Sequence, residues 1–386
     1  MGGASPPATR AAGMDVQVVG QRHVALAGAR ILSLSPDGRW LAAYDASGGR
    51  LCIYVAASLA RGRCAGLPDG PIETRSVAWS PNSARLVLTE DLFLRGHESD
   101  IWVFDRASGT LTDVTEDGVS GDVFLGHLRP KGGEAQLDVS PAWSPDGRTI
   151  VFARTPYTCG GTPPCADTSL YTVPARGGAA RLLLDAERGM AFALFYGLRW
   201  TRAGKILYTL ASSRAHDPMT GVWVVGADGR GARRLVKEDA KLGPPILAGA
   251  TPGGDTALIY YFLAAEQYNT IPGVSFYALL DTRTGVARPL KRIDKVEGTF
   301  IGPYSAVFSP DGSRVLYVYR TLADLAPRLV VRNLRGGTAY PLAVRGASQG
   351  LSGNIGIGQG LDWASDNTVY VAQSPYSGLL LTLGPR

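Results

Sequence analysis

The chain has 386 residues, 45% hydrophobic and 19% charged, with 39 Lys and Arg against 33 Asp and Glu. The basic excess is spread along the sequence without a dense run, which argues against a nucleic-acid partner. No stretch reaches the ~18 apolar residues that a membrane-spanning helix needs.

In chain order, residues 1–13, MGGASPPATRAAG, are small, polar and Pro-containing, and are expected to be a disordered lead-in. They lack the apolar middle of a signal peptide. Residues 14–28, MDVQVVGQRHVALAG, alternate like a strand. Then one pattern recurs about every 45–64 residues. Its copies are LSLSPDGRWLAAYD (32–45), VAWSPNSARLVLTED (77–91), PAWSPDGRTIVFAR (141–154), LRWTRAGKILYTLA (198–211), AGATPGGDTALIYYF (248–262), AVFSPDGSRVLYVY (306–319) and LDWASDNTVYVAQ (361–373). Pro presets the first turn corner, Asp or Asn tolerates the next, and Gly takes positive φ. The β-branched and aromatic strand that follows suits a pleated, half-buried surface. Five copies place a large ring before the turn: Trp79, Trp143, Trp200, Phe308 and Trp363. Rings at one fixed place per repeat would fill the wedge between sheets stacked face to face.

Most copies continue into a second hairpin, of which DIWVFDRASGTLTDVTED (100–117) is the clearest. One repeat is therefore four antiparallel strands, A to D, which is one propeller blade. The sequence predicts an all-β, seven-bladed β-propeller of four-stranded antiparallel blades, forming a single unit over residues 14–386. The last copy has residues for strands A, B and C only. The amino-terminal strand is expected to supply its strand D and close the ring without a free edge.

The strand–SPDG–strand motif resembles the TolB-like family of propeller repeats, over nearly the whole chain after residue 28. TolB has six blades and an additional domain, so the resemblance implies the fold and leaves TolB's own role aside.

With A–B and C–D turns tight, the variable connections are B–C and D–A, which open on one face. They include residues 89–100, 154–168, 212–221, 264–273 and 319–327 (B–C) and 117–138, 292–304 and 345–360 (D–A). Long loops on a rigid face are where binding concentrates. A non-enzymatic binding or scaffold protein without a cofactor is the primary expectation. Its partner would be a protein, a peptide or an envelope polymer, and the chain would act as a monomer. The candidate contacts are Arg95, His97, Tyr157, His216, Tyr268, Tyr304 and Arg320, because Tyr and Arg dominate interface energetics. The alternative is a metal-assisted lyase or hydrolase acting on a saccharide or cyclic ester. It would use His97, His127 and His216, and resembles propeller lyases that employ histidines and a metal. No two of these histidines have metal-ligand spacing within one element.

GASQG (346–350) matches a nucleophile pattern but lacks the strand before it and the helix after it, so Ser348 reads as a loop serine. Four cysteines form two local pairs: Cys52 with Cys64 on strands C and D of blade one, and Cys159 with Cys165 inside one loop. Two disulfides would place the protein outside the cytoplasm, secreted or periplasmic, although the sequence shows no signal peptide.

Overall fold

The computed structural model describes residues 16–385 except 46, 68–76, 90–98, 119–120, 123–126, 129–135, 157–167, 186–189, 193–196, 213–217, 240–242, 263–274, 291–297, 301–305, 322–326, 346–359 and 366. Seven antiparallel sheets each follow the order A-B-C-D, and no helix occurs among the described residues. Blade one runs Ala29–Leu34, Trp40–Asp45, Arg50–Val55 and Arg61–Gly66. Blade seven runs Leu361–Trp363, Thr368–Ser374 and Ser377–Pro385, and takes its fourth strand from Val16–Ala25. That closing pair runs from Val16 opposite Pro385 to Ala25 opposite Ser377, with one bulge between Val18 and Gly20.

The recurring turn is built from its own side chains. The Ser35 hydroxyl donates to Asp37 Oδ1 at 2.5 Å and accepts from Trp40 N–H at 3.0 Å. The same two bonds recur at Ser144, with Asp146 and Thr149, and at Ser309, with Asp311 and Arg314. The fourth turn residue takes positive φ in every blade: Gly38, Ser83, Gly147, Gly204, Gly254, Gly312 and Asn367. That region costs an ordinary residue roughly 1–2 kcal/mol, which is why glycine fills five of the seven. Neighbouring turns also bond around the ring. Ser365 N–H donates to the Pro36 carbonyl at 2.7 Å, and Arg202 N–H to that of Pro252 at 2.9 Å.

Seven hydrophobic clusters lie between adjacent blades. The rings read from the sequence sit in them. Trp79 packs with Leu32 and Tyr44 of blade one, and Trp143 with Val87 and Ile101 of blade two. Phe308 and Trp363 occupy the matching wedges further round. Burying each such ring contributes roughly 2–3 kcal/mol. The Trp143 indole N–H also donates to the Ala78 carbonyl at 3.0 Å, tying blade three to the innermost strand of blade two.

Several spans expected as loops contain strand, most clearly three of them. Within 117–138, Gly121–Asp122 pairs with His127–Leu128, and strand A of blade three starts at Gln136. Within 292–304, Gly298–Phe300 pairs with the end of strand B of blade six. In 319–327, strand B of that blade extends to Thr321 and strand C begins at Pro327. Backbone ladders run past the positions where hydrophobic alternation fades, because pairing needs only N–H and C=O groups.

Candidate functional site

Antiparallel order puts the start of strands A and C and the end of strands B and D on one side of the ring. The long connections leave from that side. Beneath them, between blades two and three, lies a buried polar platform. Asp138, near the start of strand A of blade three, is fully buried and forms a bidentate pair with Arg154 near the end of strand B. Arg154 Nε donates to Oδ1 at 2.7 Å and Nη2 to Oδ2 at 2.6 Å. The guanidinium also lies over the rings of Phe152 and Tyr171, at 5.3 and 5.2 Å. Burial dominates over the pull of the cation and pushes the Asp138 carboxyl up to about 6.

The platform extends into blade two. Asp138 N–H donates to the Ser99 carbonyl at 2.8 Å, and the Ser99 hydroxyl returns a bond to the Asp138 carbonyl at 2.9 Å. Thr115 Oγ1 donates to Asp100 Oδ1 at 3.1 Å and accepts from Ile101 N–H at 2.8 Å. Gln136 N–H donates to Asp117 Oδ2 at 2.8 Å. Burial raises the nearby Asp113 carboxyl as well. On the other side of Arg154, the hydroxyls of Thr155 and Thr168 bond at 2.6 Å, closing the base of the B–C loop. Three long connections, 90–98, 119–135 and 157–167, therefore start and end on one hydrogen-bonded base. Chemically this base is an anchor: its central ion pair is largely buried and bidentate.

Of the candidate contacts, Arg95, His97, Tyr157, His216, Tyr268 and Tyr304 lie outside the described residues. Arg320 lies in the ladder of strand B of blade six, opposite Thr299 and Pro327. His127 lies in the small hairpin of the D–A connection, opposite Asp122. Among the described residues, no three His, Cys, Asp or Glu side chains are grouped to hold a metal ion. Cys52 and Cys64 are directly opposite on strands C and D and form a disulfide with Cα atoms 4.1 Å apart. Cys159 and Cys165 lie outside the described residues. No helix of the described residues is long and apolar enough to cross a membrane.

The fold and this face define a closed seven-bladed β-propeller with an elaborated loop side. No family model matches the chain. No curated protein matches it by sequence. Solved structures do. An oligogalacturonate lyase in complex with manganese aligns with a TM-score of 0.62 at 14% identity, over 96% of this chain and 96% of that one. An oligogalacturonate lyase from Vibrio parahaemolyticus aligns at 0.59 with 10% identity, over 96% and 98% of the two chains. Hydrazine synthase from Kuenenia stuttgartiensis aligns at 0.54 with 16% identity, over 92% and 96%. At these identities the likeness is one of fold.

Proposed function

We propose that the protein is a binding or scaffold module of the TolB-like repeat type, engaging a protein, peptide or envelope polymer through its loop-bearing face. One observation carries the reading. The buried Asp138–Arg154 base fixes the roots of three long connections at a single sector, between blades two and three. A rigid root beneath long, varied loops is how propellers and sandwiches present contact residues. The Cys52–Cys64 disulfide supports an extracytoplasmic setting, where such bonds persist.

The test is capture of a partner from the native envelope fraction, followed by alanine substitution. Arg95→Ala and Tyr157→Ala should each weaken the captured complex by about 2 kcal/mol, some thirtyfold. Both should leave the melting temperature nearly unchanged. Unaltered affinity in both variants would remove the loop face from the reading. Thiol titration of the unfolded, unreduced protein checks the setting, and four reactive thiols would exclude it.

A second reading is a metal-assisted lyase or hydrolase. It is favoured by His127 on the loop-bearing side and by the manganese complex of the oligogalacturonate lyase of like fold. It requires stoichiometric metal in purified protein that His127→Ala reduces; a protein that takes up no manganese at saturating concentration excludes it.

A further inference from the structure

On the side of the tight A–B and C–D turns, away from the long connections, blades five and six are separated by a cleft that the loop-face reading does not use. Its origin lies in how each C–D turn meets the blade before it. In blades two, four and five the turn presses on strand D of the preceding blade. A Cβ on Gly109 would fall 3.1 Å from the Arg63 side chain, one on Gly285 2.8 Å from the Leu235 carbonyl, and one on Gly229 would overlap the Leu183 carbonyl. Each contact falls on the third residue of a strand D that continues beyond it: Arg61–Gly66, Arg181–Leu184 and Arg233–Lys237. In blades two and five strand D stops at its third residue, as Leu111–Asp113 and Ala287–Pro289. The turns that follow those two blades touch no preceding blade among the described residues. Nothing lies within 4 Å of a Cβ on Gly177 or Gly336, and Gly178 and Gly337 meet only Pro174 and Arg332 of their own blades.

Behind the blade-six turn the gap is a cavity of about 850 Å³. Leu279 and Arg288 lie directly opposite each other on strands C and D of blade five, so both side chains share the face that forms one wall. Leu334, Gly336 and Gly337 of blade six form the other. Leu279 and Leu334 are half-buried against the core between the two blades, and Val286 is 49% exposed above them. The wall also carries charge. Arg288 is exposed and enters no hydrogen bond or ion pair among the described residues. The Arg283 guanidinium reaches only Asp281 Oδ2, at 3.9 Å with both side chains well exposed, a pair that contributes little. The two carboxylates in the cavity wall each have an oxygen committed within the fold. Asp281 Oδ1 accepts from the Arg283 and Thr284 N–H groups at 2.9 and 3.0 Å, and Asp255 Oδ1 from the Thr251 hydroxyl at 2.6 Å. The gap behind the blade-three turn has the opposite charge. Residues 100–117 of blade two carry five acidic residues and one arginine, whereas residues 328–343 of blade six carry three arginines and no acid.

We propose that the cleft between blades five and six binds an extended acidic peptide, with carboxylates on Arg283 and Arg288 and an apolar side chain against Leu279, Val286 and Leu334. Guanidinium groups present paired donors that match a carboxylate. The apolar wall favours a peptide over a polyanionic glycan, because a peptide can place an apolar side chain beside its charges.

The experiment follows the fluorescence anisotropy of a labelled Glu-Leu-Glu-Leu-Glu peptide titrated with the full chain. Saturable binding is expected. Peptides with Gln at every Glu, or Ser at every Leu, should bind about tenfold more weakly or worse. Arg288→Gln and Arg283→Gln change exposed side chains, and each should lower affinity about tenfold with the melting temperature kept. Arg230→Gln, in the blade-four turn that closes on blade three, should leave affinity unchanged. Absence of saturable binding at submillimolar protein would overturn the proposal. So would an equal loss in the Arg230→Gln and Arg288→Gln variants, which would mark diffuse attraction between charges. Displacement of the peptide by a carboxylated oligosaccharide of equal charge, as effectively as by unlabelled peptide, would overturn the choice of a peptide.

Discussion

The two sides of this ring solve the same problem, joining antiparallel strands, by opposite means. On the turn side, four- or five-residue units stabilise themselves, with Ser35, Ser144 and Ser309 each bonding an Asp two residues on and an N–H five residues on. On the loop side, connections rest on a shared base of charges from two blades, centred on Asp138 and Arg154. Local units can be repeated around a ring with little change. A shared base is particular to one sector, and so can be adapted to one partner.

Substitutions can break this contrast, and the largest effect belongs to the loop side. Asp138→Ala leaves the Arg154 cation buried without its carboxylate, and should destabilise the fold by about 3–5 kcal/mol in denaturant titration. Adding Arg154→Met to it should recover part of that loss, because the uncompensated charge is gone. On the turn side the outcome depends on crowding. Gly254 has φ +74, and a Cβ there would fall 2.6 Å from the Thr201 side chain, so Gly254→Ala should cost about 2–3 kcal/mol. Gly204 fills the same turn position in the preceding blade with open space around it, and Gly204→Ala should cost only about 1 kcal/mol. Equal losses in the two variants would mean that contacts between turns do not contribute.

The smallest effect is one of pH. In the folded state the Asp362 carboxyl titrates at about 7, against 3.8 ordinarily, so across that interval the folded chain holds a proton that the unfolded chain releases. Stability should therefore fall as pH rises through that window and level off above it. Asp138 acts in the same direction between 3.8 and about 6. Asp362→Asn should flatten the upper part of the slope, by on the order of 1 kcal/mol, because the residue is partly exposed and solvent screening reduces the effect. A slope unchanged between pH 6 and 7 would show that Asp362 titrates normally.

The features legible in the sequence are those with a local cause. Turn, following strand and preceding ring are written in consecutive residues, so seven blades and the closing strand can be counted directly. Counting outward from a turn near 57–59 brings Cys52 and Cys64 about opposite each other, and a one-residue shift between Cys52 and Tyr54 makes them directly so. The same count fails for Asp138. Trp143 opposes Ile150 and Ala142 opposes Val151, so simple counting sets Val139 opposite Arg154. A bulge between Val139 and Ala142, with Ser140 at φ +56, shifts the register by one and brings Asp138 there instead. Nothing in the residue types announces that bulge. Arg199 and Asp362 stand at the position two before the first turn residue, which the other five copies fill with Ser33, Ala78, Ala142, Gly249 and Val307.

Closure of the ring by its first and last strands also governs how the blades can assemble during synthesis. The strand Val16–Ala25 is made before every other described strand of the ring, yet its pairing partner, Ser377–Pro385, is made after them. Until then the early strand has no ladder to join, and blade seven has only the later half of its hydrogen bonds to come. Long-range pairing of this kind is slow and leaves unsatisfied edges exposed in the meantime. Translation that stalls anywhere before the final strand yields an open horseshoe of blades, and that species is where a chaperone would be needed.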